Sequence, residues 1–220
     1  MIIAIDGPAG AGKSTVARII AKNLGFLYVD TGAMYRALTL DILREKIDIK
    51  DAARIIEAAR KIKIDLINNP DGSLKVLLDS QDVTDQIRQA QITKFVSDIA
   101  KIKGVRLAML DLERSFAKRG DCVLDGRDIG TVVFPNADKK FYLDANFKER
   151  VKRRYEELRG LGQKVTLSGI ESDLRNRDTI DSTREVAPLK KADDAIYIDT
   201  TDMSIEEVVD TLLKEIRKVV

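Results

Sequence analysis

The sequence predicts an α/β protein: a doubly wound parallel sheet of about five strands, flanked by helices. Three observations support this prediction. Short apolar runs that suit buried strands alternate along the chain with segments of helical periodicity. The first apolar run leads into a glycine-rich turn and then directly into a helix. One segment breaks this alternation, and it predicts a small antiparallel β unit inserted between helices.

The predicted sheet strands are continuous apolar runs rather than alternating ones. This pattern is typical of parallel strands that are covered by helices on both faces. The first run is followed at once by a turn, as a short buried strand requires. The predicted strands cover residues 2–5, 26–29, 122–124, 140–143 and 195–198.

Two helices are predicted near the start of the chain, at residues 14–24 and 32–43, from the spacing of their apolar residues. The inserted unit is predicted at residues 62–83, where short β runs flank the turn sequence Asn-Asn-Pro-Asp-Gly. This unit is too short to fold as an independent domain. We therefore expect it to pack against the main body of the protein.

Two later helices begin with capping signals. Asn146 precedes Glu149, and Ser204 precedes Glu207, each at the three-residue spacing of a capping box. The last helix carries a single apolar stripe, which predicts that it packs on the sheet rather than standing free. The stripe consists of Ile205, Val208, Val209, Leu212, Leu213 and Ile216.

Composition excludes several classes of function. The chain has no histidine, which removes Ser-His catalysis, histidine general bases and the common zinc enzymes. Its one cysteine, Cys122, allows neither an intrachain disulfide nor a cysteine zinc site, and we interpret it as a small core residue. This composition does not exclude phosphoryl transfer, because that reaction depends on positioning and charge more than on proton shuttling.

Charge and hydropathy indicate the environment. Lys and Arg total 38 against 36 Asp and Glu, so the net charge of +2 argues against a protein that coats nucleic acid. No apolar stretch reaches the roughly 18–20 residues that span a bilayer. The chain starts with an apolar strand and a glycine loop, with no basic segment or cleavage site before them. We expect a soluble, cytoplasmic protein with neither nucleic acid nor membrane as partner.

The strongest motif is a phosphate-binding loop between the first strand and the first helix. The pattern G-x-x-x-x-G-K-S requires glycines because successive backbone N–H groups must turn inward onto phosphates. The lysine can bridge the β- and γ-phosphates, and the serine hydroxyl can bind Mg²⁺. The predicted ATP-binding residues of this loop are Gly7, Pro8, Ala9, Gly10, Ala11, Gly12, Lys13, Ser14 and Thr15.

The same loop occurs in GTPase switches and motor ATPases. The guanine-reading pattern N-K-x-D is absent, and the chain is too short for a motor. A small-molecule kinase fits better. The segment Asp-Thr-Gly-Ala-Met-Tyr-Arg at residues 30–36 follows the second strand. Thr31 can cap the next helix and Arg36 can point to the same mouth of the sheet, although a cap followed by a surface arginine is an equal interpretation.

Two further segments make a resemblance specific. Residues 125–135 read DGRDIGTVVFP after a strand, and residues 184–189 read REVAPL. Together with the phosphate loop, the DTGAMYR segment and the inserted β unit, they resemble the bacterial cytidylate kinase family over residues 1–213. The resemblance implies one P-loop kinase domain, 1–220. Its core would be 1–30, 120–145 and 190–220, its acceptor-binding region 31–119, and its lid 146–189.

The resemblance also implies site residues. Ser97, Arg106 and Asp128 would contact the cytosine edge, where a carboxylate suits the N4 amine and repels the uracil oxygen. Asp181 would bind the ribose hydroxyls. The acceptor phosphate would be held by Arg36, Arg127 and Arg184, with Arg177 between the two substrates and with Thr31, Asp125 and Gly126 completing the CMP site. Ile180 departs from the family, in which relatives can carry another arginine there.

Other interpretations of these residues remain open. Any one of the arginines could be a solvated surface charge. Arg175, Arg177, Asp178 and Asp181 could form an i,i+4 ladder of ion pairs along one helix. Asp125 would lie near Mg²⁺ or orient Arg184.

The basic segment 148–159 would belong to a lid that closes over ATP and excludes water, with Arg150 and Arg154 as ATP ligands. A solvated amphipathic helix is the alternative, and a nucleic-acid patch is a weaker one.

The implied activity is transfer of the γ-phosphate of ATP to CMP and dCMP by a monomer, with Mg²⁺ bound in part by Ser14. The catalytic residues would be Lys13, Arg127, Arg177 and Arg184. A kinase of UMP or of a shikimate-like metabolite is the same-fold alternative, but the inserted unit and the DGRD segment count against the latter. A nucleotide-gated regulator is the alternative from another class, and the many arginines beyond the loop argue against it.

Overall fold

The computed structural model describes residues 1–218 and contains two sheets. The larger sheet has five parallel strands in the order β2-β6-β1-β7-β8, and the smaller one has three antiparallel strands in the order β3-β4-β5. This architecture confirms the predicted α/β fold with an inserted antiparallel unit. The strands are β1 (Ile2–Asp6), β2 (Leu27–Asp30), β3 (Ile64–Asn68), β4 (Leu74–Leu78), β5 (Gln81–Asp82), β6 (Cys122–Gly126), β7 (Lys139–Asp144) and β8 (Ile196–Asp199).

Helices connect the strands and cover the sheet. Within residues 1–218, none of them combines the length and the apolarity that crossing a bilayer would require. A 3-10 turn at Gln86–Arg88 and a π-helical turn at Ile129–Val133 supplement the α-helices. The α-helices are α1 (Lys13–Leu24), α2 (Thr31–Arg44), α3 (Ala52–Lys61), α4 (Ala90–Ala100), α5 (Lys103–Ala117), α6 (Phe147–Gly160), α7 (Leu167–Thr183) and α8 (Ile205–Arg217).

The strand order creates a cleft above β1. β1 pairs in parallel with β6 on one side and with β7 on the other. The chain reaches these neighbours on opposite sides of β1, so the loops that follow the strands diverge there and leave a crevice at the carboxyl ends. The glycine loop that follows β1 lies at this crevice, which is where ligands bind in open α/β sheets.

The inserted unit is a meander in which β3 pairs antiparallel with β4, and β4 with β5. β4 and β5 are joined by the two residues Asp79 and Ser80, which have φ angles of 47° and 67°. This left-handed pair is typical of a type I′ hairpin turn. The apolar face of the unit, including Val76 and Leu78, is buried in the main core, so the unit is not independent of the body of the protein.

The end of the chain packs as its apolar stripe predicts, with one exception. Val208, Val209, Leu212, Leu213 and Ile216 are buried in the main core, and α8 packs against α1. Ile205, which the stripe includes, is 48% exposed. Ile205 is the first residue of α8, so its side chain lies at the edge of the buried contact between the helix and the core.

The predicted helix starts had mixed outcomes. The capping box at Ser204 and Glu207 is confirmed, because both of its reciprocal hydrogen bonds are present. The predicted box at Asn146 is wrong: Asn146 accepts from the Lys148 N–H. Glu149 does not reach back to the cap because it forms an ion pair with Arg153 one turn later, at 3.1 Å.

A second correction concerns the start of α2. Its N-cap is Asp30, whose carboxylate accepts from the Ala33 N–H at 2.8 Å. Thr31 is the first helical residue, and its hydroxyl donates to the Asp125 carbonyl at 2.8 Å. Thr31 therefore does not cap the helix but ties the end of β2 to the end of β6.

A second, smaller apolar cluster joins α6 and α7. Val151 and Leu158 of α6 pack with Ile170 and Leu174 of α7, and Ala9 of the glycine loop belongs to the same cluster. This contact couples the glycine loop to the helices of the predicted lid region. The predicted core segment 190–220 is described as far as residue 218, and residues 219 and 220 lie outside the described part.

Candidate active site

A cavity of about 370 Å³ opens at the carboxyl ends of β1, β2 and β6. Each of the acceptor-site residues expected from the sequence lines it. Six of the nine glycine-loop residues also line it: Ala9, Gly10, Gly12, Lys13, Ser14 and Thr15. The acceptor-site residues on its wall are Thr31, Arg36, Ser97, Arg106, Asp125, Gly126, Arg127, Asp128, Arg177, Asp181 and Arg184.

The glycine loop owes its shape to a close approach and to left-handed backbone. Gly7 has φ 146°, and a Cβ placed there would lie 1.9 Å from the Leu143 carbonyl oxygen of β7. Gly12, with φ 86°, caps α1 without a side-chain hydrogen bond, which leaves the first N–H groups of the helix free to bind an anion. Gly7, Pro8 and Ala11 are buried supports of the loop.

Lys13 is the cation inside this loop. Its side chain is buried, and Nζ donates to the Pro8 carbonyl at 2.7 Å. Burial lowers the pKa of Lys13 to about 7, and repulsion from Arg127 adds to that effect. A buried lysine whose charge is so poorly solvated gains from any anion that enters the loop. Negative phosphate groups would thus restore its charged form.

Asp125, at the end of β6, faces the loop from the other side. Its two carboxylate oxygens accept from the Ser14 hydroxyl at 2.7 Å and from the Tyr28 hydroxyl at 2.8 Å. Burial raises the pKa of Asp125 to about 7, and the nearby Asp30 raises it further. Of the two roles considered for Asp125, this geometry favours the one beside Ser14. The guanidinium of Arg184 is directed to Asp128 and Asp181 instead.

Asp128 is held in the wall of the cavity by two arginines. Arg106 of α5 donates to one carboxylate oxygen at 2.5 Å, and Arg184 donates to the other at 3.3 Å. All three side chains are buried. Nε of Arg106 is buried and finds no hydrogen-bond partner within residues 1–218. An acceptor atom of a ligand could occupy that position, since buried donors are rarely left unpaired.

Asp181 and Arg127 form a second ion pair on the cavity wall. Nε of Arg127 donates to Asp181 at 2.9 Å, and Arg184 lies 3.7 Å from the other Asp181 oxygen. Burial opposes the ionised form of Asp181, but the charges of Arg127, Arg184 and Arg177 prevail and lower its pKa. Asp181 therefore carries a fixed negative charge among cations.

The alternative of an i,i+4 ladder among Arg175, Arg177, Asp178 and Asp181 is wrong, because none of these four residues forms an ion pair with another of them. Arg175 does pair along the helix, with Glu171 at 2.8 Å. Arg177 and Asp181 instead face the cavity, and Asp178 binds Arg150 of α6 at 2.7 Å. Asp178 and Asp181 do not pair along the helix because Arg150 and Arg127, on other elements, supply their partners.

Arg36, Arg154 and Arg177 also line the cavity. Arg36 donates to the Thr93 hydroxyl at 2.8 Å, and burial together with Arg177 and Arg154 lowers its pKa to about 9. Burial and Arg127 lower the pKa of Arg177 to about 10. Nε of Arg177 is buried and lacks a partner in the described part of the chain. Mutually repelling cations with an unpaired donor favour the binding of a polyanion.

Of the two lid arginines expected to bind ATP, the structure brings one to the cavity. Arg154 lines it, whereas Arg150 is buried behind the loop. Arg150 donates to the carbonyls of Ala145 and Ala9, both at 3.1 Å, and to Asp178. Its Nε and Nη1 atoms are bound by these protein acceptors, so Arg150 supports the backbone of the glycine loop at Ala9.

Sequence reasoning missed several residues of this region. Tyr28 and Tyr35 line the cavity, and the buried hydroxyl of Tyr35 has no partner among residues 1–218. Asp6 and Glu113 are buried carboxyl groups behind the wall. The position of Tyr35 beside Arg36 in the DTGAMYR segment was a signal for Tyr35. For Asp6, the signal was an acidic residue at the end of an apolar strand.

The fold and the site together define a P-loop phosphotransferase: a glycine loop that can cradle phosphates faces a wall of arginines across one cavity. Sequence comparison narrows this class. The chain belongs to the cytidylate kinase family, whose sequence model matches residues 3–218.

Individual relatives agree with this assignment. A cytidylate kinase of Caldanaerobacter subterraneus subsp. tengcongensis is 50% identical over 98% of this chain and 94% of its own length. A cytidylate kinase of a Geobacillus species is 51% identical over 96% of this chain and 94% of its own. Among solved structures, an uncharacterized protein from Eubacterium ventriosum matches 99% of this chain and 98% of its own with a TM-score of 0.54. At 13% identity, that likeness concerns the fold alone.

Proposed function

We propose that the protein transfers the γ-phosphate of ATP to CMP, and to dCMP, yielding ADP and CDP or dCDP. The observation that carries this proposal is the position of Asp128. Its buried carboxylate, held by Arg106 and Arg184, shares one cavity with the glycine loop and the arginine cluster. A site of this kind can read a base and place its phosphate opposite ATP at the same time.

The base selectivity follows from the hydrogen-bonding groups. Cytosine presents an amine at N4, which a carboxylate accepts, and acceptor atoms beside it, which an arginine donor suits. The Asp128 carboxylate and the unpaired Nε of Arg106 offer this complementary set. Uracil presents an oxygen in place of the amine, so its binding would leave a buried charged acceptor unpaired. This would weaken the binding free energy by several kcal/mol. We propose Ser97, also on the wall, as a third contact to the base.

The chemistry needs no general base. The second pKa of a phosphate monoester is near 6, so the acceptor is mostly dianionic at neutral pH. Its oxygen attacks the γ-phosphorus, the bond from that phosphorus to the β–γ bridging oxygen breaks, and the electron pair leaves with ADP. Lys13, Arg127, Arg177 and Arg184 would bring the two anions together and stabilise the charge on the transferred group.

The residues present fit Mg²⁺ as a cofactor. The Ser14 hydroxyl and the Asp125 carboxylate lie 2.7 Å apart in the cavity, and hard oxygen donors are what Mg²⁺ binds, alongside nucleotide phosphates. We propose that these two groups hold it, in part through water. When bound, the ion neutralises charge on the β- and γ-phosphates.

We further propose that Arg36 holds the acceptor phosphate and that Asp181 binds the ribose hydroxyls, since both lie on the wall with Arg127 and Arg177. Thr31 and Gly126 would support that side of the site. Each proposed role belongs to a residue of one chain, so a monomer would suffice for the reaction.

A panel of acceptors tests the proposal. ADP release is measured with Mg-ATP and, separately, CMP, dCMP, UMP, AMP and shikimate. We expect CMP and dCMP to be turned over much faster than the rest. The variant Asp128→Asn should lose most of the preference for CMP over UMP. UMP turnover as fast as that of CMP in the wild type would overturn the proposed role of Asp128.

A further inference from the structure

Asp6 is a buried carboxyl group to which the reaction assigns no task. It is the last residue of β1, directly before the glycine loop, and it is 4% exposed. One carboxylate oxygen accepts from the Ile129 N–H at 2.8 Å, and the other accepts from the Gly130 N–H at 2.7 Å. Asp6 therefore links the strand that carries the loop to a segment more than 120 residues later in the chain.

The two N–H groups belong to the residues that directly follow Asp128. They are the first two residues of the π-helical turn, whose backbone closes on the Asp128 carbonyl through the N–H groups of Val132 and Val133, at 2.9 and 3.1 Å. The Asp128 backbone is thus fixed from two sides, by its own turn and by Asp6. The direction of its side chain depends on that backbone.

Holding a carboxyl group at this position is costly. Burial raises the pKa of Asp6 to about 6, although its two backbone hydrogen bonds oppose this effect. Asp6 directly precedes the glycine loop and accepts from the two residues after Asp128, so it joins the loop to the segment that carries Asp128, and the charges of both Asp128 and Lys13 act on its pKa. A neutral residue would close an ordinary turn at lower cost, so the arrangement calls for a reason beyond turn formation.

We propose that Asp6 is a positioning residue for base selectivity: it holds Asp128 in register with the phosphate loop through the N–H groups of Ile129 and Gly130. This inference rests on the proposed function, in which Asp128 accepts from the cytosine amine. Asp6 itself touches neither substrate in this account and acts through the backbone of the DGRDIG segment.

The main test is Asp6→Asn. The amide keeps one oxygen acceptor but presents an NH₂ group to the second backbone N–H, so one bond is lost and two donors oppose each other. We expect the ratio of kcat/KM for CMP to that for UMP to fall about tenfold or more, because only the correct base uses Asp128. The loss should arise mainly from a higher KM for CMP. If Asp6 merely stabilised the fold or the ATP loop, the substitution would lower kcat/KM for CMP and for UMP by the same factor. The ratio would then be unchanged.

A second variant approaches the same contact from the other side and keeps Asp6. A Cβ on Gly130 would lie 3.1 Å from Lys140 Cδ and 3.4 Å from an Asp6 carboxylate oxygen. Gly130→Ala should therefore displace the segment slightly and lower the CMP-to-UMP ratio by about threefold. If Asp6→Asn fails to fold, the CMP-to-UMP ratio of Gly130→Ala alone tests the proposed role of Asp6.

The matched control is Ser204→Ala, which removes the capping box of α8, a helix that contributes no residue to the cavity wall. It should lower the thermal midpoint and leave the substrate ratio as it is. An unchanged ratio in both Asp6→Asn and Gly130→Ala would overturn the inference about Asp6. A wild-type enzyme without any preference for CMP would instead overturn the proposed function, so the two failures are distinct.

Discussion

Glu113 gives rise to a prediction about the pH dependence of stability. It lies in α5 and is 2% exposed. Burial raises its pKa to about 8, and Asp128 raises it further, while Arg106, Arg184 and Arg114 only partly compensate. The folded protein therefore holds this carboxyl group mostly protonated at neutral pH. The unfolded chain, in which its ordinary pKa is 4.5, does not.

The direction of the pH dependence of stability follows from this difference in pKa between the folded and unfolded states. Because the pKa is raised in the folded state, the folded protein binds the proton more tightly, and the resulting stability is lost as pH rises from 4.5 to about 8. One proton of difference changes the free energy of unfolding by about 1.4 kcal/mol per pH unit. Over the whole window of roughly three and a half units, the effect is at most about 5 kcal/mol. Glu113→Gln, which is neutral at every pH, should lack this component.

Urea unfolding of the wild type and of Glu113→Gln between about pH 5 and pH 7 measures the effect. The wild type should lose about 2.7 kcal/mol relative to the variant over these two units. The comparison cancels the titration of Asp6 and Asp125, which both proteins share. Ser115→Ala, two residues along the same helix, is the control. Its free energy of unfolding should change with pH as that of the wild type does. Parallel curves for Glu113→Gln would refute the assignment of a protonated carboxyl group.

Three further predictions concern the phosphate loop, the predicted lid region and the inserted unit. Lys13→Ala should lower kcat about 100-fold or more by removing the cation of the phosphate loop, while its urea midpoint, which reports a folded protein, stays close to that of the wild type. Arg150→Met should lower the free energy of unfolding by about 3 kcal/mol, because it leaves Asp178 and two loop carbonyls without their partner; an unchanged urea midpoint would contradict this. Ser80→Gly should raise the thermal midpoint and stabilise the protein by up to about 1 kcal/mol, because glycine adopts the left-handed φ of 67° without strain; a lower midpoint would count against it.

Local sequence patterns were sufficient for the elements and for the phosphate loop. A strand, a glycine turn and a helix are adjacent in the chain, so their chemistry is visible in a short window. The same holds for the Asn-Asn-Pro-Asp-Gly turn between β3 and β4 of the insert and for the capping box at Ser204. The box at Asn146 failed because Glu149 had a competing partner, Arg153, on its own helix, and spacing alone does not weigh such competition.

The sequence by itself determined the parallel sheet, the inserted antiparallel unit, the phosphate loop and, through the resemblance, the family. Only the tertiary structure decided which charges meet: Arg150 behind the loop, Asp128 between Arg106 and Arg184, and Asp6 beneath the DGRDIG segment. The reason is physical. Periodicity and turn chemistry act over a few residues, whereas the partner of a buried charge comes from whichever distant element the packing of the sheet brings within about 3 Å.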